Sequence, residues 1–185
     1  MGILARRIAV GQECPTYIPL EVAELPAMPV NSKTVSGRRD LTFQSLDDIV
    51  ADAECLVASP KTKTLGNWPL TQLLTHLSST VENSIDGFQV KAPLFVRLIV
   101  PFLKGRVLCN KMSPGIKLPK STEAHAFPAA ASSQAALEQL RKAVARTKTE
   151  RMEAAHPAFG KMTHDEWMTL HLRHSELHLS FAVPR

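Results

Sequence analysis

Cysteine, aromatic residues and long apolar runs are all scarce in this chain of 185 residues. The three cysteines, Cys14, Cys55 and Cys109, lie far apart and form no C-x-x-C pair, which excludes a zinc knuckle and a dithiol redox motif. Aromatic residues make up only 5% of the chain, so aliphatic side chains must fill most of the interior. This composition favours helices over a β-sandwich.

No apolar run approaches the ~18–20 residues that a membrane-spanning helix needs. The longest apolar stretch, residues 92–103, is interrupted by Arg97 and Pro101. Polar residues and Pro15 interrupt the N-terminal segment where a secretory signal would need an apolar core. We therefore expect a cytoplasmic protein with no membrane partner.

The net charge of +5 is spread along the chain in short basic groups. A nucleic-acid-binding protein usually concentrates such charge on one face. Scattered basic groups are typical of solvated helix surfaces. We expect no nucleic-acid partner.

Proline divides the chain into an arm and a domain. Residues 1–37 carry four prolines and no sustained hydrophobic period, which predicts an extended N-terminal arm. Residues 38–185 then form one domain, interrupted between its second and third helices by a long irregular loop over residues 113–128. His125 lies in this loop, where a surface position is the simpler interpretation and closure over a site the alternative.

Four segments carry the apolar spacing and boundary residues of helices. Their predicted limits are Ser45 and Pro60, Asn67 and Gly87, Ser132 or Ser133 and His156, and Thr163 and Phe181. Thr163 and Glu166 form a T-x-x-E capping box at the last of these. Residues 92–108 predict a further helix, bent or broken at Pro101. With no convincing strand, the pattern predicts an all-α four-helix bundle.

Histidine is the one enriched reactive residue, with seven copies. His174 and His178 are four residues apart on the predicted last helix, so both imidazoles can reach one metal ion. His76 lies among leucines of the second helix and is expected to point inward. A buried imidazole needs partners for both ring nitrogens. Spacing alone leaves two interpretations open, a metal site and a hydrogen-bonded histidine core.

Other polar and aromatic residues near these histidines are weaker candidates. His171 lies on nearly the same stripe of the helix as His174. Its possible roles are a fourth metal ligand, a general base, or a core histidine bonded to a carbonyl. Glu176 is expected to face solvent or to pair with Arg173, which leaves no carboxylate clearly inward. Trp68 and Trp167 are more typical of core packing than of substrate stacking.

Two stretches resemble the DinB/YfiT-like metal-dependent superfamily. Residues 65–87, LGNWPLTQLLTHLSSTVENSIDG, resemble its second helix, and residues 160–181, GKMTHDEWMTLHLRHSELHLSF, resemble its last helix. The match is closest to a bacterial branch of unknown function with the same G-N-W start and R-H-x-E-L-H-x-S-F ending. The resemblance covers roughly residues 38–182 and implies a four-helix bundle, commonly dimeric.

The resemblance also implies a metal site, with nickel or zinc as the ion and His76, His174 and His178 as ligands. Three histidines leave open positions on a divalent ion, which is typical of a catalytic site. Relatives include thiol-dependent S-transferases and a maleylpyruvate isomerase. We expect a hydrolase or thiol S-transferase acting on a small molecule. The alternative is a non-catalytic bundle, with a structural metal or a polar histidine core, that acts through dimerisation or a partner.

Overall fold

The computed structural model describes residues 29–90, 92–115 and 130–184, and this part of the chain is mostly helical with a two-stranded sheet. The α-helices are α1 (Leu46–Ala58), α2 (Leu70–Asp86), α3 (Leu94–Ile99), α4 (Lys104–Cys109), α5 (Ser133–Arg146) and α6 (His164–Leu179). A 3-10 turn, Val100–Leu103, joins α3 to α4 and contains Pro101, which confirms the predicted break. None of the described helices has the length and apolarity to cross a membrane.

The predicted capping residues begin three of the helices. Ser45 and Asp48 form a capping box at α1, and Thr163 and Glu166 form the predicted one at α6. Ser132 caps α5 by accepting a hydrogen bond from the backbone N–H of Ala135. These contacts are local, because each side chain reaches a backbone group only three residues away.

The start of α2 and the end of α5 differ from the prediction. Pro69 occupies the position before α2, while Asn67 bonds both backbone groups of Val30, at 2.6 and 2.9 Å. The side chain of Asn67 thus holds the segment around Val30 instead of capping a helix. The α5 helix ends at Arg146, well before the predicted end at His156. Directly after Arg146 the backbone forms successive turns with i→i−3 hydrogen bonds.

The prediction that the chain has no strand is wrong. Strands β1 (Lys63–Thr64) and β2 (Ala182–Val183) pair antiparallel, with Lys63 opposite Val183 and Thr64 opposite Ala182. Strands of two residues are too short to show the alternation that identifies a strand in sequence. Their pairing holds the end of α6 against the segment between α1 and α2.

The main core lies among α1, α2, α5 and α6, where α2 and α1 each pack against both α5 and α6. A second cluster of Met152, Met162, Trp167 and Leu170 lies beside α4. The contact between α2 and α6 matters most for the site, because it brings His76 toward the histidines of α6.

Glu176 is buried, with 5% of its surface exposed, so the solvent-facing interpretation is wrong and the pairing with Arg173 is confirmed. One carboxylate oxygen also accepts a hydrogen bond from the backbone N–H of buried Phe43, at 3.0 Å. Because a buried carboxylate needs such partners, this network explains how an acid is accommodated in the interior.

Residues 29–37 of the predicted N-terminal arm contain turns but neither helix nor strand. Residues 1–28 of the arm lie outside the described part of the chain, as does His125 with most of the predicted loop.

Candidate metal centre

Three imidazoles from two helices converge on one point. The Nε2 atom of His174 lies 3.2 Å from Nε2 of His76 and 2.9 Å from Nε2 of His178. One nitrogen from each residue lies within 4.8 Å of the others, so the group can hold a metal ion. The three histidines singled out in the sequence are therefore brought together.

The two helices explain this convergence. His174 and His178 are one turn apart on α6, and their rings meet edge to face with centroids 4.5 Å apart. His76 is 6% exposed on the buried face of α2, beside Leu73 and Leu77. Neither helix carries three ligands, so the cluster depends on the packing of α2 against α6.

Trp68 forms one wall of the histidine cluster. Its ring stacks on His178 with centroids 5.1 Å apart and planes 14° from parallel, and its centroid is 5.6 Å from that of His76. Trp68 also packs against the main core, as predicted. The contact of Trp68 with the histidines was not predicted. It joins the loop before α2 to the end of α6, which are far apart in the sequence.

Burial favours the neutral form of His174 and His178. It lowers the pKa of both His174 and His178 well below the ordinary value of 6.5, and the neighbouring histidines lower each pKa further. A neutral imidazole has a free lone pair on one nitrogen. Both residues are therefore suited to bind a metal ion at neutral pH.

The donor geometry fits a divalent metal better than a set of hydrogen bonds. A neutral imidazole Nε2 carries either a proton or a lone pair, so Nε2 of His174 cannot form a linear hydrogen bond with both neighbours. Nitrogens bound tetrahedrally at ~2.0–2.1 Å would be ~3.3 Å apart; the His76–His174 distance of 3.2 Å is close to this value and the His174–His178 distance of 2.9 Å is shorter. Imidazole nitrogens suit several transition metals, among them zinc, copper, iron and nickel.

His171 lies outside this cluster. Its Nε2 atom lies 3.1 Å from Oγ of Ser84, and its ring stacks on Trp167 with centroids 5.3 Å apart. Burial, followed by the charge of nearby His156, lowers its pKa to about 3. This placement agrees with a core histidine, with a hydroxyl instead of the expected carbonyl as its partner.

His156 is a partly buried histidine that the sequence placed at the end of a helix, with no indication of its role in a turn. Its Nδ1 atom accepts hydrogen bonds from the backbone N–H groups of Ala158 and Phe159, both at 3.0 Å. Burial lowers its pKa to about 4. Pro157 and Gly160, whose φ is 73°, are the available signals of this tight turn.

The lowered pKa values of His156 and His171 predict acid sensitivity of the metal-free protein. The pKa of His156 and His171 falls from 6.5 to about 4 and about 3 on folding, so below pH 6.5 the unfolded chain binds protons that the folded chain does not. We expect the free energy of unfolding to fall between pH 6.5 and 5 by about 2 kcal/mol for each residue. Denaturant titrations at several pH values measure this slope.

The matched variant for this experiment is His156→Asn, whose side-chain oxygen can still accept the two backbone hydrogen bonds. We expect it to reduce the pH slope by about one proton while the remaining histidines keep theirs. An unchanged slope would show that His156 does not titrate on unfolding.

Fold and site together define a mostly helical protein whose packed helices bring three histidines together in a group able to bind a metal ion. The chain belongs to the family described as "Protein of unknown function (DUF1569)", whose model matches residues 35–185. Searches of curated proteins and of solved structures give no significant match.

Proposed function

We propose that this protein is a metal-dependent enzyme of the DinB/YfiT-like type, built on a four-helix bundle of α1, α2, α5 and α6. The convergence of His76, His174 and His178 through their Nε2 atoms carries this proposal. The motifs around these residues resemble that superfamily, which supports the same ligand assignment. Nickel or zinc is the proposed ion.

The three-histidine group favours a catalytic use of the ion. Structural zinc sites are usually closed by four protein ligands, whereas three ligands leave a position for substrate. A divalent ion held there would act as a Lewis acid toward a water or a thiol. Because the group contains no carboxylate to serve as general base, we favour thiol S-transfer over hydrolysis.

The proposed substrates are a low-molecular-weight thiol and a small electrophile, with the histidines holding the ion and Trp68 walling the site. The stacked ring of Trp68 fixes the orientation of the His178 imidazole. We also propose a cytoplasmic location. We propose no nucleic-acid partner, since the basic residues are scattered and many are paired with acids.

Metal analysis of protein purified without chelators tests the proposal. We expect one nickel or zinc ion per chain, or uptake of one after incubation with either salt. The loaded protein is then assayed with glutathione, bacillithiol and mycothiol against small electrophiles, and with ester and amide substrates for hydrolysis. A chain that takes up no ion would overturn the proposal, and stoichiometric metal without turnover would favour the non-catalytic bundle.

A homodimer is proposed from an exposed apolar face on α3 and the following 3-10 turn. Its large side chains are 60–88% exposed: Leu94, Phe95, Leu98, Ile99 and Phe102. Monomeric soluble proteins rarely expose apolar groups in one patch of this kind. A second copy of the chain would remove this face from water.

Sedimentation at several protein concentrations tests this face. We expect the wild type to sediment as a dimer and the double variant Leu98→Glu/Phe102→Glu as a monomer, because buried, unpaired carboxylates oppose association. Lys61→Glu is the matched control, as an exposed residue outside the face. A monomeric wild type would contradict the proposal.

A further inference from the structure

Arg38 is held in a fixed orientation at the end of α6. Its Nε and Nη2 atoms donate to Oγ of Ser180 at 3.0 and 2.7 Å, and its guanidinium carbon lies 4.3 Å from the ring centroid of Phe181. The hydroxyl of Ser180 donates its proton to the carbonyl of Leu177 at 2.6 Å, so it serves Arg38 as an acceptor. The hydrogen bonds to Ser180 and the ring of Phe181 therefore fix the position of the Arg38 guanidinium.

Arg38 lacks the counter-ion that comparable arginines have. The other half-buried arginines of the described ranges all pair with a carboxylate: Arg39 with Asp52, Arg141 with Glu54, Arg146 with Asp86 and Arg173 with Glu176. No carboxylate in the described part of the chain forms such a pair with Arg38, and burial lowers its pKa. A cation drawn partly out of water is costly unless an anion compensates it.

Arg38 lies at the end of α6 and lines a cavity. Its partners Ser180 and Phe181 follow His178 closely in the chain. Arg38 and Ser180 also line a cavity of about 350 Å³, together with the apolar side chains of Leu41, Met112 and Leu177. The other two cations of the described residues that line this cavity are paired with acids, Lys111 with Asp40 and Arg39 with Asp52.

We propose that Arg38 binds the carboxylate of a small organic acid in this cavity. The inference goes beyond the proposed function, since it rests on Arg38 and its surroundings alone. With Nε and one Nη2 proton bound to Ser180, the Nη1–Nη2 edge retains two parallel N–H groups for a bidentate carboxylate. Leu41, Met112 and Leu177 in the cavity lining offer contacts for the hydrocarbon part of such an acid.

Benzoate and its neutral analogue benzamide serve as probes in isothermal titrations of the metal-loaded protein. We expect the wild type to bind benzoate at least about tenfold more tightly than benzamide, and Arg38→Gln to lose this preference. Ser180→Ala should reduce the preference by a smaller factor, because it frees the guanidinium to reorient. Arg38→Lys should retain part of it, as a point charge without the bidentate geometry.

Arg106→Gln is the control, since it removes the same charge from an exposed arginine with no carboxylate partner among the described residues. Circular dichroism and metal content establish that each variant is folded and loaded. If no variant or wild type takes up metal, the proposed function fails, and the same titrations on the metal-free protein still test Arg38. Equal preference for benzoate in wild type and Arg38→Gln, or no preference in either, would overturn the inference.

Discussion

Replacing His174 with alanine is expected to abolish stoichiometric binding of nickel or zinc. His174 is the central residue of the cluster, because its Nε2 atom lies within 3.2 Å of those of both His76 and His178. The loss of affinity should exceed the 10–100-fold that removal of a residue orienting a metal ligand typically causes. Isothermal titration with each metal salt, and metal analysis after gel filtration, measure it.

His164→Ala is the matched control for this experiment, since His164 begins the same helix but lies outside the three-histidine group. Its Nδ1 atom accepts a hydrogen bond from the backbone N–H of Met152, so the variant loses one local contact. We expect it to bind metal as the wild type does. Retention of a full equivalent of tightly bound metal by His174→Ala would refute the proposed ligand set.

Replacing Trp167 with alanine should cause the largest loss of stability, about 3–5 kcal/mol. The side chain is 1% exposed and stacks between Phe88 and His171, with centroids at 5.7 and 5.3 Å. Its indole N–H also donates to the carbonyl of Ala154 at 3.0 Å. The variant therefore leaves a cavity and an unpaired carbonyl in the second core cluster. Denaturant unfolding monitored by circular dichroism measures the loss.

Trp167→Phe separates the two contributions, because it retains a ring in the stack but removes the hydrogen bond. We expect it to cost about 1–3 kcal/mol, less than the alanine variant. Metal binding by the folded fraction of either variant should be unchanged, since Trp167 lies outside the three-histidine group. If Trp167→Ala lowered the free energy of unfolding by no more than an ordinary surface substitution does, the second cluster would contribute little to stability.

Local patterns in the sequence identified the helices and the three histidines. The capping residues Ser45, Ser132 and Thr163 act on backbone groups three residues away, so their effect is visible in the sequence itself. The spacing of His174 and His178 likewise reflects one helical turn. The inward position of His76 followed from the apolar stripe of its own helix.

Contacts between distant segments could not be predicted in this way. The two-residue strands carry no recognisable period, and no glycine or proline stands directly after Arg146 to mark the early end of α5. Glu176 was misplaced because its buried partner, the backbone N–H of Phe43, belongs to a segment 133 residues away in the chain. No property of α6 alone indicates that partner.

The sequence by itself determined which residues could bind a metal, because helical spacing and apolar neighbours are properties of single helices. Only the tertiary structure decided that these residues meet, since α2 and α6 must pack together before His76 can approach His174. It also decided the surroundings of the cluster, where Trp68 and Arg38 arrive from loops with no periodic pattern. Their positions depend on the packing energy of the whole domain, which is why no local pattern reveals them.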